Sequence, residues 1–444
     1  MRIIIIGGEA AGMSAAAKAK RENKEADVVV YEMSDIVSFG ACGLPYYVGD
    51  FFENEDRMIA RTPEQFKKSG IELETLHQVM RVNPQEKKVT VRNLQTNEEF
   101  EDHYDRLLIA TGASAIIPPF EGTDLENVFT LKTMEDGKAL KQAALQEENR
   151  HVVIIGAGYI GLEVVEAMKN LGKEVTLIQL SDHILTGTFD SDMAEKMEHE
   201  LVTHHVTLKL NEGVKALKGE GKVQMVVTDQ GEYKADIVVI ATGIKPNTGF
   251  LKETGIQMQD NGAIVIDEYG ETTIKDIYAA GDCATVYHLV RQENVYIALA
   301  TTANKIGRII GENLTGSRTA FEGTLGSACL KVMDLEAART GITETEAKAM
   351  GIPYKTVVIS DKNQTDYYPG QEDIHAKLIY HGESKKILGA QLVGKKGAAL
   401  RIDALAVAIY SGLTTSQLGM MDFCYAPPFS RTWDVMNVAG NVAK

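Results

Sequence analysis

The chain has 444 residues, which at roughly 150 residues per domain suggests about three domains. It carries 46 basic and 62 acidic side chains, a net charge of −16, and 44% of its residues are hydrophobic. This composition argues against a disordered chain, and the acidic balance argues against nucleic acid or an anionic membrane as a partner. An anionic ligand must therefore be held by a local basic cluster.

The cysteines are too few for a disulfide framework, and none are spaced as C-x-x-C: Cys42, Cys283, Cys329 and Cys424. We therefore expect no zinc ribbon, no thioredoxin-type couple and no metal site. The opening apolar run is too short for a signal peptide, and no stretch approaches the ~18 apolar residues of a membrane helix. These features predict a reduced, soluble, cytoplasmic enzyme.

The first 32 residues predict the start of a βαβ unit. A short apolar run breaks into glycines before an alanine-rich helical stretch, and a second strand follows at 27–32. Glu9 takes the place of the middle glycine of G-x-G-x-x-G, but Glu32 supplies the strand-end carboxylate that can bind both ribose hydroxyls. The predicted dinucleotide residues here are Gly7, Gly8, Ala11, Gly12 and Glu32.

A second such unit begins at residue 151 and satisfies G-x-G-x-x-G in full. Its glycines let the backbone approach a pyrophosphate at the N-terminus of the following helix. Gln179 stands where a ribose-binding carboxylate is expected and offers no charge to a 2′-phosphate either, so NADH and NADPH both remain possible. The predicted NAD(P) residues are Gly156, Gly158, Tyr159, Ile160, Gly161, Gln179 and Gly243.

Two further strands end in Ala-Thr-Gly, at 110–112 and 241–243, and proline-marked crossovers follow both. From about residue 323 the pattern changes. Thr343 and Glu346 form a capping box, strands are predicted at 354–360, 375–380 and 387–394, and a helix at 398–411. We predict two doubly wound, Rossmann-like α/β domains and a C-terminal α+β domain, and two dinucleotide sites imply a flavin reduced by a nicotinamide.

The glycine segments, the Ala-Thr-Gly strand ends and Tyr278-Ala279-Ala280-Gly281-Asp282 resemble the pyridine nucleotide–disulfide oxidoreductase family across essentially the whole chain. The resemblance implies FAD and NAD(P)H as cofactors and a C-terminal dimerisation domain. It assigns Asp282 to the ribityl chain of FAD, and it adds the first strand end, Ala110, Thr111 and Gly112, to the FAD residues. The predicted domains are FAD-binding (1–118 and 246–322), NAD(P)-binding (119–245) and dimerisation (323–444).

Two-cysteine members of this family have C-x₄-C, whereas the fifth position after Cys42 is Tyr47. No histidine follows His381, so the histidine general acid of the two-cysteine branch is missing as well. A single thiol cannot complete an internal disulfide. Its two-electron oxidised form must be a mixed disulfide with a small thiol, or a sulfenic acid.

A basic stripe on the first helix suits an extended anionic ligand such as coenzyme A, because offsets of four and seven put Ser14, Lys18 and Arg21 on one face. The segments 38–47, 366–370 and 424–428 closely resemble the coenzyme A–disulfide reductases, a single-cysteine branch. That resemblance implies CoA contacts by Ser14, Lys18, Arg21, Ser38, Cys42 and Asn304. It also implies that Tyr367 and Tyr425 reach the disulfide from the partner subunit.

The implied reaction is reduction of CoA disulfide by NAD(P)H through a Cys42–CoA mixed disulfide, in a homodimer with shared active sites. A competing hypothesis is an NADH peroxidase or oxidase that cycles through a sulfenic acid. Ala10 and Ala11 argue against it, since a histidine is expected near them. The motifs also leave open a CoA persulfide or polysulfide reductase and a flavin-bound redox sensor without turnover.

Overall fold

The computed structural model describes all residues 1–444, and its first sheet is parallel throughout. The strand order is Ile277–Ala279, Arg106–Ile109, Arg2–Ile6, Asp27–Tyr31 and Glu72–Glu74. The central strand is the apolar run at the N-terminus, and Ile3, Ile4 and Ile5 have no solvent exposure. A sheet that is covered on both faces explains why this run is continuous rather than alternating.

The second sheet repeats this arrangement with the order Thr207–Lys209, Glu174–Ile178, His151–Ile155, Ile237–Ile240 and Val128–Phe129. Every neighbouring pair is again parallel, and the second apolar run forms the central strand. In both sheets a glycine loop leads from the central strand into a helix, Ala10–Glu22 in the first and Tyr159–Asn170 in the second. The predicted pair of doubly wound domains is confirmed.

The C-terminal sheet is antiparallel, with the order Ala328–Val332, Leu335–Gly341, Ile387–Gly394, Asp373–His381 and Tyr354–Lys362. The helix Ala398–Tyr410 lies against it and contributes Ile402 and Leu405 to their shared core. The predicted capping box is present, because the Thr343 side chain accepts the Glu346 N–H and the helix Glu344–Ala349 follows. The predicted α+β character of this region is confirmed.

Two three-stranded antiparallel sheets were not expected from the sequence: His77–Asn83, Lys88–Asn93 and Glu99–His103, and Val214–Lys218, Met225–Thr228 and Glu232–Lys234. Two short pairs complete the strands: Ala113–Ala115 with Ile244–Pro246, and Val286–His288 with Glu293–Val295. The remaining helices are Leu44–Val48, Pro63–Lys67, Met134–Ala144, Ser191–Thr203, Ala300–Asn313, Thr415–Gly419 and Val435–Val442. None of the helices is both long and apolar enough to span a membrane.

The first helix packs closely on the helix Ala300–Asn313, which brings the later part of the chain back to the first sheet. A Cβ on Gly307 would lie 2.3 Å from the Ala11 carbonyl oxygen, and one on Gly311 would lie 2.6 Å from that of Ala15. The edge strand Ile277–Ala279 joins the same sheet. The domain boundaries after residues 118, 245 and 322 stay a prediction.

Candidate functional site

Glycine shapes the loop that follows the first strand. Gly7 has a φ of +109°, and a Cβ there would lie 2.2 Å from the carbonyl oxygen of Ala110. A Cβ on Gly12 would lie 2.0 Å from the Gly7 oxygen. Neither position can accept a side chain, so the loop runs against the neighbouring strand end. Ala11 is buried in the first turn of the following helix.

Glu32 follows the second strand of this sheet and is only 8% exposed. Its Oε2 accepts the N–H of Gly8 at 2.6 Å, and its Oε1 accepts the N–H of Ser34 at 2.8 Å. Two backbone donors therefore fix the carboxylate at the strand end, next to the glycine loop. That is the position from which a carboxylate can bind ribose hydroxyls.

Asp282 lies beside the same loop. The preceding Gly281 has a φ of +80°, and a Cβ there would lie 3.2 Å from the Cβ of Ala11. The Asp282 carboxylate is 3.1 Å from the Nζ of Lys132. Lys132 was not predicted from the sequence, because 150 residues separate it from Asp282 and nothing in its own segment marks it.

These groups fit FAD. The glycine loop keeps open the space that a pyrophosphate needs, Glu32 can bind ribose hydroxyls, and Asp282 offers acceptors for a ribityl chain. The strand end that follows Ala110 is fixed by a hydrogen bond from the Thr111 hydroxyl to the Asn247 carbonyl oxygen at 2.8 Å. Gly112 has a φ of +64°, with no atom within 4 Å of its Cβ position.

The second glycine loop has the same geometry. Gly156 has a φ of +103°, and a Cβ there would lie 2.4 Å from the Ala241 carbonyl oxygen, while one on Gly161 would lie 2.0 Å from the Gly156 oxygen. A Cβ on Gly158 would meet no atom within 4 Å. The loop is therefore packed where it touches the sheet and open at its middle position, as pyrophosphate binding requires.

Gln179 takes the place that Glu32 has in the first unit, since its Oε1 accepts the Ala157 N–H at 3.0 Å. The next residue, Leu180, is 75% exposed. Tyr159 and Ile160 form the first turn of the helix after the loop, and Gly243, with a φ of +130°, follows the neighbouring strand. The predicted NAD(P) residues thus gather around one sheet edge.

Cys42 occupies a short 3₁₀ turn, Ala41–Gly43, directly before the helix Leu44–Val48, and it is a free, exposed cysteine. Ser38, at the start of this segment, has a φ of +53° and donates its N–H to the Gly8 carbonyl oxygen at 2.8 Å. The segment that carries the predicted redox thiol is therefore hydrogen-bonded to the first glycine loop.

Charged groups from three other segments act on the Cys42 thiol, namely Glu163, Lys132 and Asp282. Although Cys42 is exposed, desolvation by the surrounding protein raises its pKa, Glu163 raises it further, and Lys132 lowers it. Burial also raises the pKa of Glu163, to about 7, while a hydrogen bond with Tyr46 opposes that shift. Glu163 was missed in the sequence, although its position on the helix after the second glycine loop could have drawn attention to it.

Tyr367 and Tyr425 are brought together by the C-terminal domain. Their hydroxyl oxygens are 2.8 Å apart, and the two residues are 71% and 43% exposed. The Thr365 hydroxyl donates to the Pro427 carbonyl oxygen at 3.1 Å, which ties the two tyrosine segments together. The hydrogen bond with Tyr367 raises the pKa of Tyr425, so the Tyr425 hydroxyl keeps its proton at neutral pH.

The side chains of the predicted CoA-binding stripe are only partly available to a ligand, because protein groups already pair with some of them. The Ser14 hydroxyl donates to Asn304 Oδ1 at 2.7 Å, which joins two predicted contacts from different helices. The Lys18 ammonium lies 2.9 Å from the Glu312 carboxylate and also pairs with Glu22. Arg21 is exposed. Of the two basic residues of the predicted stripe, Arg21 is therefore the one without an acidic partner.

Residues 1–307 match the family model for pyridine nucleotide-disulphide oxidoreductases, and residues 327–436 match the dimerisation domain of that family. The chain is 40% identical to a Pyrococcus furiosus "NAD(P)H sulfur oxidoreductase (CoA-dependent)" over 444 residues, covering 100% of this chain and 99% of the relative. It is 35% identical to an Enterococcus faecalis "NADH oxidase", covering 100% and 99%. It is also 34% identical to a Staphylococcus aureus "Coenzyme A disulfide reductase", covering 100% of both.

Among solved structures, an NAD-dependent persulfide reductase from A. fulgidus superposes with a TM-score of 0.96 at 38% identity. The match covers 100% of this chain and 83% of that chain. These comparisons confirm the predicted family, the fold class and the dependence on FAD and NAD(P)H. The chain belongs to the pyridine nucleotide-disulphide oxidoreductase family.

Proposed function

We propose that this protein is an NAD(P)H-dependent reductase of CoA disulfide that uses Cys42 as its only redox thiol. The observation that carries this proposal is the placement of Cys42. It is an exposed cysteine on a segment hydrogen-bonded to the FAD loop, within range of the charges of Lys132 and Glu163. Since Tyr47 replaces a second cysteine, Cys42 has no internal partner, and in this proposal its oxidised form is a mixed disulfide with a thiol of the substrate rather than a sulfenic acid.

The single thiol of Cys42 is sufficient for the reduction of CoA disulfide. The Cys42 thiolate attacks one sulfur of CoA disulfide, the substrate S–S bond breaks, and one CoA thiolate leaves, so that Cys42 is held as a mixed disulfide with the second CoA. FAD, when bound at the first glycine loop, would supply the redox chemistry that links NAD(P)H oxidation to reduction of this disulfide. Two electrons and one proton then release the second CoA as a thiol and restore the Cys42 thiolate.

Tyr367 and Tyr425 are suited to assist the departing sulfur. A hydroxyl that keeps its proton can donate a hydrogen bond or a proton to a leaving thiolate, and the contact between the two hydroxyls orients both. We assign them to the active site of the partner subunit in a homodimer, because they lie on the C-terminal domain, which matches the family's dimerisation domain. A two-fold dimer would then contain two equivalent sites.

CoA would lie along the first helix with its phosphates toward the exposed end. Ser14 and Asn304, already hydrogen-bonded to each other, offer polar contacts near the start of that path. Arg21 offers an exposed guanidinium at its end, where bidentate binding of a phosphate is favourable. Because Lys18 is already paired with Glu22 and Glu312, we expect it to contribute less than Arg21.

A CoA persulfide or polysulfide reductase is the second candidate. The relative at 40% identity is named a CoA-dependent NAD(P)H sulfur oxidoreductase, and it matches along its whole length. The same thiol can attack a persulfide, in which case the leaving group is hydrosulfide rather than a CoA thiolate. The chemistry at Cys42 is shared, so the acceptor distinguishes the two functions.

The experiment compares NAD(P)H consumption by the FAD-bound enzyme with CoA disulfide, with polysulfide in the presence of CoA, with peroxide and with oxygen alone. We expect CoA disulfide to give the highest kcat/KM and Cys42→Ser to abolish turnover, with Cys424→Ser as the matched control. Intact mass should show a dithiothreitol-sensitive CoA adduct in the wild type and none in Cys42→Ser. Turnover with oxygen or peroxide only, on a Cys42 without the adduct, would contradict the proposal.

A further inference from the structure

The two glycine loops differ at their middle position. The first loop has Glu9 where the second has Gly158, and a Cβ on Gly158 would meet no atom within 4 Å. Binding of a pyrophosphate favours an open, uncharged backbone at this position, so it gives no reason for a carboxyl group there. The Glu9 side chain also has no part in the reaction described above.

Glu9 reaches from the FAD loop to the segment that carries Cys42. Its Oε2 accepts the N–H of Phe39 at 3.0 Å. The preceding residue, Ser38, donates its N–H to the carbonyl oxygen of Gly8 at 2.8 Å. Two consecutive residues of the loop thus hold two consecutive N–H groups of the cysteine segment, three and four residues before the thiol.

We propose that Glu9 is a positioning residue, which fixes the segment Ser38–Cys42 against the FAD loop more firmly when its carboxyl group is ionised. Ionised acceptors form shorter and roughly twice as strong hydrogen bonds as neutral ones. The Phe39 N–H therefore has a stronger partner in the ionised state. Glu9 would act in this way whichever acceptor Cys42 reduces.

The surroundings of Glu9 bring the ionisation of its carboxyl group close to neutral pH. Burial raises the pKa of Glu9 to about 8, the Phe39 N–H opposes this, Glu32 raises it and Lys132 lowers it. Lys132 is itself paired with Asp282, so it is only partly available to balance Glu9. Below this pH the carboxyl group is mostly neutral and the hold on Phe39 is weak. Above it the carboxylate holds the cysteine segment firmly.

The test measures how fast iodoacetamide alkylates Cys42 in the reduced, FAD-bound protein between pH 7 and 9. Peptide mass spectrometry measures the alkylation of Cys42 separately from that of the other cysteines, and the exposed Cys329 serves as an internal reference. The variants are Glu9→Gly, which restores the glycine of the motif, and Glu9→Gln, which keeps an acceptor oxygen but cannot ionise. Glu25→Gln, an exposed carboxylate beyond the first helix, is the matched control. FAD content and melting temperature confirm that each variant is folded.

We expect iodoacetamide to alkylate Cys42 about threefold to tenfold faster in Glu9→Gly than in the wild type at pH 9. This range corresponds to the free energy of one net hydrogen bond. Glu9→Gln should match the wild type at pH 7 and exceed it at pH 9, because only the wild type tightens near pH 8. Cys329 and Glu25→Gln should show neither effect.

Rates within twofold of the wild type for both Glu9 variants across this pH range would overturn the proposal. A faster Glu9→Gly with identical pH profiles for Glu9→Gln and the wild type would overturn the dependence on ionisation. If Glu9→Gly does not fold, the Glu9→Gln profile alone decides. No CoA compound takes part, so the result stands even if CoA disulfide proves not to be the acceptor.

Discussion

Glu163 is a carboxyl group whose charge the fold opposes. Burial raises its pKa from 4.5 to about 7, so the folded protein binds this proton more tightly than the unfolded chain. The resulting loss of unfolding free energy is absent below pH 4.5, grows between pH 4.5 and 7, and is constant above pH 7. A shift of this size corresponds to at most about 3 kcal/mol of unfolding free energy.

We therefore expect Glu163→Gln to melt at a higher temperature than the wild type at pH 8 and at nearly the same temperature at pH 5. The amide removes the buried charge, which exists only at the higher pH. Differential scanning fluorimetry at the two pH values makes the comparison, and the exposed Glu147→Gln serves as control. An equal stabilisation at both pH values would show that charge is not the cause.

The hydroxyl group of Tyr425 should be needed for turnover but not for folding. Tyr425→Phe removes only the oxygen that contacts Tyr367, so folding should be unaffected. Turnover with CoA disulfide should fall about tenfold to a hundredfold, the loss expected when a hydrogen bond to a charged leaving group is removed. Stopped-flow reduction of the flavin by NADH should be unchanged, since that step precedes release of the sulfur.

Tyr368→Phe is the matched control for Tyr425→Phe, because Tyr368 is an exposed tyrosine in the same segment as Tyr367. It should keep wild-type turnover. If Tyr425→Phe also keeps wild-type turnover, the hydroxyl pair has no role in expelling the sulfur.

Residues of the candidate site could be predicted from the sequence where a local pattern marks them. Cys42 stands in a recognisable glycine-rich segment, and Glu32 follows a strand at a fixed distance from the glycines. Lys132 carries no such mark, and Glu163 is marked only by its position on the helix after the second glycine loop. The importance of both comes from the approach of distant segments to Cys42. The partial neutralisation of Lys18 by Glu312 was hidden for the same reason, as the two residues belong to different helices.

At the scale of elements, we expect the end of the strand Glu174–Ile178 to leave the choice between NADH and NADPH open. Gln179 is neutral and Leu180 is apolar and exposed, so this part of the chain neither attracts nor repels a 2′-phosphate by charge. We expect NADH and NADPH both to support turnover. Their kcat/KM values should differ by much less than a thousandfold, a ratio that corresponds to about 4 kcal/mol.

Leu180→Arg should raise the NADPH/NADH ratio of kcat/KM by about tenfold or more, because an arginine can pair with the 2′-phosphate. The neutral Leu180→Gln is the control and should leave the ratio unchanged. An unchanged ratio in Leu180→Arg would mean that the 2′-phosphate binds away from this residue.

The elements themselves followed from the sequence where hydrophobic runs met glycine or a capping box. The buried parallel strands and the helix that begins at Ala398 were located within a few residues of their observed bounds. The antiparallel insertions were missed because their strands are partly exposed and are not marked by a continuous apolar run before a glycine loop. In Glu99–His103, for example, polar residues predominate and burial does not alternate regularly. Tertiary packing, rather than local pattern, determines such strands.

At the scale of the whole molecule, the C-terminal domain exposes a set of large apolar side chains. Several stand close in sequence to Tyr425, namely Met420, Phe429 and Trp433, and others lie on the helix Ala398–Tyr410, namely Leu400, Val407 and Tyr410. Exposed apolar groups on this scale are typical of a protein–protein interface. Together with the match to a dimerisation domain, they support a homodimer, whereas a site shared between the two subunits is our proposal.

A hybrid-dimer experiment tests this shared site. Cys42→Ser chains lack the thiol but keep the tyrosines, whereas chains with both Tyr367→Phe and Tyr425→Phe keep the thiol. If each site combines Cys42 of one subunit with the tyrosines of the other, a mixed dimer regains up to one intact site in two. We expect hybrids isolated with two different affinity tags to turn over CoA disulfide faster than either parent, approaching half the wild-type rate. Hybrids of proven composition that stay as slow as the parents would show that the tyrosines serve their own subunit or none.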